Sequence, residues 1–430
     1  MIFLNLIYSV VDRIGNKLNI LIVSPNYRSF GNCSEMILFA LHHCMDRNKK
    51  MIIIKPFNSF FFKKVSIANQ YLYQLEHELI IKPPFLISSL FSFLMTILTG
   101  FFFIFVKSRK ILAKICNLSD NYYNNHELAC FVTQQFGWKD VWELSEDLEY
   151  VKKRWHELEN KYKPPMLPKY LEINSKRAVE LIAPESINKK WVTIHAVDNT
   201  IVNRARGAKI DSYNLAIKYL VENDFHIFRI GDNSMPKCKE IIGLTDLAHI
   251  DHDRSLDLYL IQNVDFHIGV QSGPNFVGHL FNKDVLQTNL VEWSTAIPRK
   301  KNNFYIMKKF IKKSSNTIIP ISELLEKSFN FQINTNSIGD KDLYIEDNSD
   351  LEILEVVKEF LNFKKNVSNY SALQEKFNKK KNSWLLNELS NEDLVVDFWP
   401  SNNHNLNRIR SFAMSTVSGT MSNFFLKENW

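Results

Sequence analysis

With 430 residues and 45% hydrophobic side chains, the chain is long enough for two folded domains plus extensions and too apolar to be disordered. Its net charge of +7 is modest and spread out. That balance suits anionic small molecules or lipid headgroups, and no basic stripe or nucleic-acid motif accompanies it. Five cysteines, Cys33, Cys44, Cys116, Cys130 and Cys238, are widely spaced without a C-x-x-C pair, which argues against a disulfide framework or a zinc site and for a reducing compartment.

The N-terminus lacks a basic leader, and Asp12-Arg13 interrupts its apolar residues, so no signal peptide is expected. Residues 17–24 (KLNILIVS) predict a strand, 25–33 a loop, 34–43 a helix capped by Asn32 or Ser34, and 50–55 (KMIIIK) a second strand. This is a βαβ start with Gly31 just before its helix. Residues 85–106 (FLISSLFSFLMTILTGFFFIFV) then run without a charge, preceded by Pro83-Pro84 and followed by Lys107, Arg109, Lys110 and Lys114. The length would cross a bilayer, yet spanning would separate parts of one N-terminal domain. A monotopic or re-entrant insertion, basic flank towards anionic headgroups, is therefore expected over a spanning or buried helix. Residues 119–160 predict polar helices with acids early and bases late. Lys163–Pro168 (KPPMLP) reads as the linker, which places the domain boundary at 165/166.

Residues 191–297 carry the clearest pattern. Strands at 191–195, 225–230, 265–270 and 285–289 alternate with helices at 210–220, 256–261 and after Gly273, which predicts a parallel, doubly wound sheet. Ligands bind such sheets beyond the carboxyl ends of the strands. Those ends carry His195, Arg229-Ile230-Gly231-Asp232 and Gln271-Ser272-Gly273. A Ser-Gly at a helix entrance presents amides and a hydroxyl to a phosphate, and Arg206 and Arg229 are permanently charged forked donors. An ordinary turn and cap, and an ion pair for Arg229, are the plainer alternatives. After this core, 298–313 (PRKKNNFYIMKKFIKK) reads as a basic solvated face. Residues 317–325 form a short connection, 343–361 a helix capped by Asn348 or Ser349, and the tail 366–430 carries no assignable chemistry.

The motifs Val192-Thr193-Ile194-His195, Arg206-x6-Tyr213-x2-Ala216-Ile217, Arg229-Ile230-Gly231-Asp232, Asp257-x2-Leu260 and Phe266-x-Ile268-Gly269-x2-Ser272-Gly273 resemble a family of bacterial proteins assigned as glycosyltransferases and encoded with surface-polysaccharide genes. More distantly they are similar to the O-fucosyltransferase group. The resemblance implies an α/β fold of two Rossmann-like domains (GT-B type) with a deep interdomain cleft and a C-terminal helical extension. Residues 1–165 would be the acceptor domain, 166–330 the nucleotide-sugar donor domain, and 331–430 the extension, whose late helices would cross back onto the first domain. It places Arg28, Gly31, Asn32 and Glu35 on the acceptor side. Arg229, Gly231, Asp232, Asp257, Gln271, Ser272 and Gly273 fall near the donor. One departure is that the family's His-x-Arg reads His195-Ala196-Val197 here, leaving Arg204 or Arg206 to replace that arginine.

Glycosyl transfer needs a stabilised leaving diphosphate and a deprotonated acceptor hydroxyl. Arg206, Arg229 and the Ser272-Gly273 amides answer the first need, and Glu35, His42, His43 or His195 the second; His195, Arg206 and Glu35 are the catalytic candidates. His249-x-Asp251-His252-Asp253 has the composition of a metal cluster, but adjacent residues do not converge without an unusual turn. No metal and no cofactor are expected, and no D-x-D motif stands between apolar strands. The expected partners are a nucleotide-sugar donor, a glycan or lipid-linked acceptor and the inner face of the cytoplasmic membrane, without nucleic acid. Inversion follows only from the resemblance. A catalytically degenerate scaffold of the same fold is the alternative. A dinucleotide enzyme is weaker, since no G-x-G-x-x-G follows a strand.

Overall fold

The computed structural model describes residues 15, 17–23, 25, 30–54, 69–90, 93, 156–198, 205–291, 298, 300–325, 342–366, 369–390 and 419–430. They fall into two compact units. Glu157–Pro168 belongs with the N-terminal residues, and Lys169 opens the second unit.

In the first unit β1 (Ile20–Val23) and β2 (Lys50–Ile53) pair in parallel and are joined by α1 (Phe30–Arg47). The helix begins earlier than its expected start. Ser34, expected to cap it, lies inside it with Oγ donating to the Phe30 carbonyl at 2.9 Å. Met36, Ile37, Phe39 and Leu41 are buried. Asn48, at φ 52, turns the chain directly into β2. The free edge of β2 is taken up by residues 79–81 through Met51 N–H to Leu79 O at 2.7 Å and Ile81 N–H to Met51 O at 2.8 Å.

The segment Lys163–Pro168 is not a free linker. Glu76 and Met166 exchange both backbone hydrogen bonds at 2.8 Å, and Tyr162 and Leu167 are buried. Of the uncharged run 85–106, only 85–90 and Phe93 are described, and 85–90 are helical. Among the described residues no helix is long and apolar enough to cross a membrane. Of the helices expected over 119–160, only 156–160 are described, and those are helical.

The second unit is built on a seven-stranded, wholly parallel sheet. Its strands are β3 (Lys190–His195), β4 (Phe225–Arg229), β5 (Leu244–Asp246), β6 (Phe266–Gly269), β7 (Asp284–Leu290), β8 (Phe304–Met307) and β12 (Thr420–Met421), in the order β12-β8-β7-β6-β3-β4-β5. The chain starts at β3, steps outward to β4 and β5, then returns to β6 on the other side of β3. Right-handed crossovers in opposite directions send their helices to opposite faces. Accordingly α3 (Asn214–Glu222) packs on β4 and on α7 (Asp350–Asn366). On the other face α2 (Leu171–Glu180) and α5 (Gly273–Leu280) pack against α4 (Ser255–Asn263). A three-stranded antiparallel sheet of β9 (Lys309–Lys312), β10 (Thr317–Ile318) and β11 (Leu343–Glu346) is appended, with α6 (Ile321–Leu324) after β10.

The basic stretch 298–313 is not a solvated face. Phe304, Tyr305, Ile306 and Met307 form β8 and are fully or almost fully buried. A parallel strand covered on both faces needs only a short apolar run, and here lysines close it at both ends. The helix expected within 343–361 starts where a cap at Asn348 or Ser349 places it. Leu343–Glu346 is β11, and α7 begins behind a capping box in which Ser349 Oγ accepts from Glu352 N–H at 3.2 Å while Glu352 Oε2 accepts from Ser349 N–H at 2.7 Å. The described part of 331–430 is integral to the second unit rather than a separate extension. Phe360 of α7 packs edge-on against Phe266 and Phe304, β12 completes the sheet edge, and α8 (Ala372–Ser390) and α9 (Asn423–Asn429) pack beside it.

Candidate functional site

Where the strand order reverses, between β3 and β6, the flanking connections leave in opposite directions and open a crevice at the carboxyl ends. His195 ends β3, and Ser272 follows β6 at the entrance to α5. Their side chains meet, with Ser272 Oγ 2.8 Å from His195 Nδ1. Ser272 Oγ also donates to the Val270 carbonyl at 3.2 Å. A hydroxyl has one proton, so with both bonds made it accepts from Nδ1–H, and the Nε2 lone pair of His195 is left for a ligand. Among the described residues Nε2 has no hydrogen-bond partner. Burial, then the Arg229 charge, lowers the His195 pKa to about 4, against the opposing pull of Asp257 and Asp232. The ring is neutral at pH 7.

A second histidine holds this geometry. His267 pairs with Thr193 across the β3–β6 register, its Nδ1 2.9 Å from Thr193 Oγ1 and its Nε2 3.1 Å from Asn275 Oδ1. Asn275, one turn into α5, donates from Nδ2 to the Val270 carbonyl at 2.8 Å. That fixes His267 as the Nε2–H tautomer and ties the start of α5 to the end of β6. Burial keeps its pKa low, at about 3. The approach also explains Gly269, where a Cβ would lie 2.1 Å from Asn275 Oδ1. Ser272 occupies the N-cap position of α5 without a side-chain capping bond, and Pro274 removes one of the first-turn amides that an anion would use.

The end of β4 is different. Arg229 is fully buried, and its Nη1 donates to both oxygens of Asp246 at 3.1 and 3.0 Å and to the Pro236 carbonyl at 2.7 Å. Asp246, from the end of β5, also accepts from Cys238 N–H at 3.0 Å. The arginine expected at a diphosphate is thus part of a buried ion pair that acts on His195 through its charge. Gly231 allows a tight turn, since a Cβ would lie 2.5 Å from Met235 Sδ. Asp232 is exposed and accepts from Ser234 N–H at 2.9 Å and from its hydroxyl, which lowers its pKa.

The accessible guanidinium on this side is Arg254, which the sequence reading passed over. Its side chain is 45% exposed, and Nη1 donates to the Gly231 carbonyl at 2.7 Å and to Asp257 Oδ2 at 3.0 Å. Asp257 is held on its other oxygen by His252 Nε2 at 2.9 Å. His252 loses solvation by burial, but the Asp257 hydrogen bond and charge outweigh that and raise its pKa. Two other members of the apparent metal cluster, His249 and Asp253, are engaged separately. His249 Nε2 lies 2.9 Å from the Met235 carbonyl, and Asp253 accepts the Ser255 amide at 2.8 Å.

Arg206 is exposed in a turn whose neighbour Ala208 donates its amide to the Val197 carbonyl at 2.8 Å, just beyond His195. Lys308, buried at the end of β8, donates from Nζ to the Gly207 carbonyl and to Asp347 Oδ1, each at 2.5 Å, so it fixes the base of that turn. Gln271 Oε1 accepts from Val291 N–H at 3.3 Å, joining the ends of β6 and β7. Glu35, His42 and His43 are buried in the first unit, where His42 stands edge-on to Tyr162 at 5.0 Å. Arg204 and Arg28 lie outside the described residues, as does the side chain of Asn32. His267 was missed because the run Asp265–Val270 reads as an ordinary strand, Thr193 was marked only as part of the β3 motif, and nothing in the local sequence singled out Asn275.

The fold and site define a doubly wound parallel α/β protein with a polar cluster at its switch point. No protein-family model and no curated protein sequence matches the chain. Two solved structures share part of its course. One is the bacterial iron-containing dodecameric glycosyltransferase TibC from enterotoxigenic E. coli H10407, at 12% identity and a TM-score of 0.30, covering 64% of this chain and 59% of that one. The other is the dodecameric iron-containing heptosyltransferase TibC in complex with ADP-D-beta-D-heptose, at 11% identity and a TM-score of 0.29, covering 64% and 58%. The chain therefore spans less than two thirds of either, and a likeness at that level carries no argument about activity.

Proposed function

We propose that the chain is a glycosyltransferase of the GT-B type that moves a sugar from a nucleotide-sugar donor to a glycan or lipid-linked acceptor. The observation that carries this reading is the His195–Ser272 pair at the switch point of a parallel sheet, beside exposed Asp232 and the half-exposed guanidinium of Arg254. The motif resemblance in 191–297 adds to it. Arg206, Arg254 and the Gly273 amide would hold the diphosphate, and Asp232 would accept from donor hydroxyls. No step requires a metal, and the sugar would invert by direct displacement. A histidine with a pKa near 4 is a weak base, but a diphosphate beside it stabilises its protonated form. The Nε2 atom of His195 would therefore take an acceptor proton only once the donor is bound. Glu35 remains the acceptor-side candidate.

The degenerate-scaffold reading draws on two observations. Arg229 is locked onto Asp246, and the family's arginine position is Val197 here. Calorimetric titration of the full chain with UDP, GDP, CMP, ADP and their sugars, with NAD as control, separates the readings. Saturable binding of one nucleotide, weakened at least about tenfold in Arg254→Ala, supports the transferase. A folded protein that binds none of them leaves the scaffold, and binding of NAD alone would replace both.

A further inference from the structure

Helical residues 85–90 of the first unit invert the usual order of exposure. Phe85 is 82% exposed, Leu86 80% and Leu90 58%, while Ser88 and Ser89 are half-buried. Ile87 is also exposed. Other exposed apolar side chains, such as Ile173, Ile242 and Leu351, stand singly, as is ordinary on a protein surface. Here the large apolar groups are consecutive, and water is the wrong solvent for them.

The patch is rigidly mounted. Two residues before Pro83, Ile81 is bonded to β2 through the Met51 carbonyl at 2.8 Å. Pro83 and Pro84 have restricted φ, and the first helical bond runs from Ser88 N–H to the Pro84 carbonyl at 2.9 Å. The apolar side chains are thus presented from a sheet edge rather than from a loose tail. The charge pattern indicates what covers them. Between Glu78 and Asp120 the sequence contains no acidic residue, and its five basic ones, Lys82, Lys107, Arg109, Lys110 and Lys114, all flank the apolar run. In the sequence an uncharged apolar run bracketed by basic residues matches a bilayer with anionic headgroups, which meets both features at once; Lys82 itself is ion-paired with Glu76 at 2.5 Å.

We propose that Phe85, Leu86, Ile87 and Leu90 form a docking surface for an anionic lipid bilayer, with these apolar side chains among the acyl chains. The surface lies outside the sugar-transfer site and stands whether or not that reading holds.

The test is flotation of the full chain with vesicles of phosphatidylcholine alone and of phosphatidylcholine with phosphatidylglycerol, at low and high salt. The wild type should float with the mixed vesicles, and less with the neutral ones or at high salt. The double variant F85S/L86S should partition at least about tenfold more weakly with an unchanged thermal transition, because both side chains are already exposed. Failure to float with either vesicle, or equal flotation of variant and wild type, would overturn the proposal. Loss of a self-associated form in F85S/L86S, without lipid binding by the wild type, would also overturn it and assign the face to a second copy of the chain. Nucleotide titration of the same preparations separates a failure here from a failure of the transferase reading.

Discussion

Two adjacent strand ends of the same sheet carry the residues expected to bind a ligand, and they are built oppositely. At the β3–β6 end, His195 and Ser272 hold each other in place and leave a ring nitrogen and a half-exposed hydroxyl. At the β4–β5 end, Arg229 is closed off by Asp246 and the Pro236 carbonyl, and its charge is felt only through the protein. Position at a strand end is therefore not enough to make a site. What matters is which neighbouring strand brings a counter-group, and β5 brings a carboxylate where β6 brings a hydroxyl.

Acid gives the largest expected separation. His195 and His226 are lowered to about 4 and His267 to about 3, in each case chiefly by burial. The unfolded chain takes up protons near 6.5, and the folded chain does not until nearer 4. The stability contribution is thus complete above pH 6.5 and is lost as pH falls towards 4. A fall from 6.5 to about 4 corresponds to about 3 kcal/mol for His195 alone. Urea unfolding of the second unit across that range should show it, and His195→Gln should flatten its share. A stability that is level from pH 7 to 4.5 would remove the buried neutral histidines from this account.

Breaking the closed end comes next. Arg229→Met leaves the Asp246 carboxylate without its buried partner and should cost about 3–5 kcal/mol in chemical denaturation. If Arg229 only supports the fold, the residual folded protein retains its nucleotide affinity. A specific loss of affinity in a folded Arg229→Met variant would move this arginine into the site.

The smallest effect on stability, and the sharpest on chemistry, belongs to the open end. Ser272→Ala removes a half-exposed hydroxyl and should change stability by less than about 1 kcal/mol. It frees the His195 tautomer, however, and transfer should slow by at least about 100-fold with a small change in KM. Full activity in Ser272→Ala would detach Ser272 from the reaction.

Much of this architecture was legible before any coordinates. The apolar runs at 191–195, 225–230 and 265–270, each followed by a breaker and a helix, specify buried parallel strands because both faces must be covered. Asn348-Ser349 announced a helix start. The lysine-bordered run Phe304–Met307 was misread because its flanking charge outweighed four apolar residues, and β12 lies in a tail with no periodic pattern. Lys163–Pro168 had the composition of a linker, but its backbone pairing with Glu76 cannot be seen in composition.

Local sequence by itself determined β3, β4, β6 and β7 and the helices α3, α4 and α5, since hydrophobic period and breakers act within a few residues of each other, but it did not mark β5, β8 or β12. Only the tertiary structure decided that β6 lies beside β3 and β5 beside β4, because strand order depends on contacts 17 to 77 residues apart and on the hand of each crossover. That choice set His195 against Ser272, buried Arg229 under Asp246, and left Arg254 in reach of solvent.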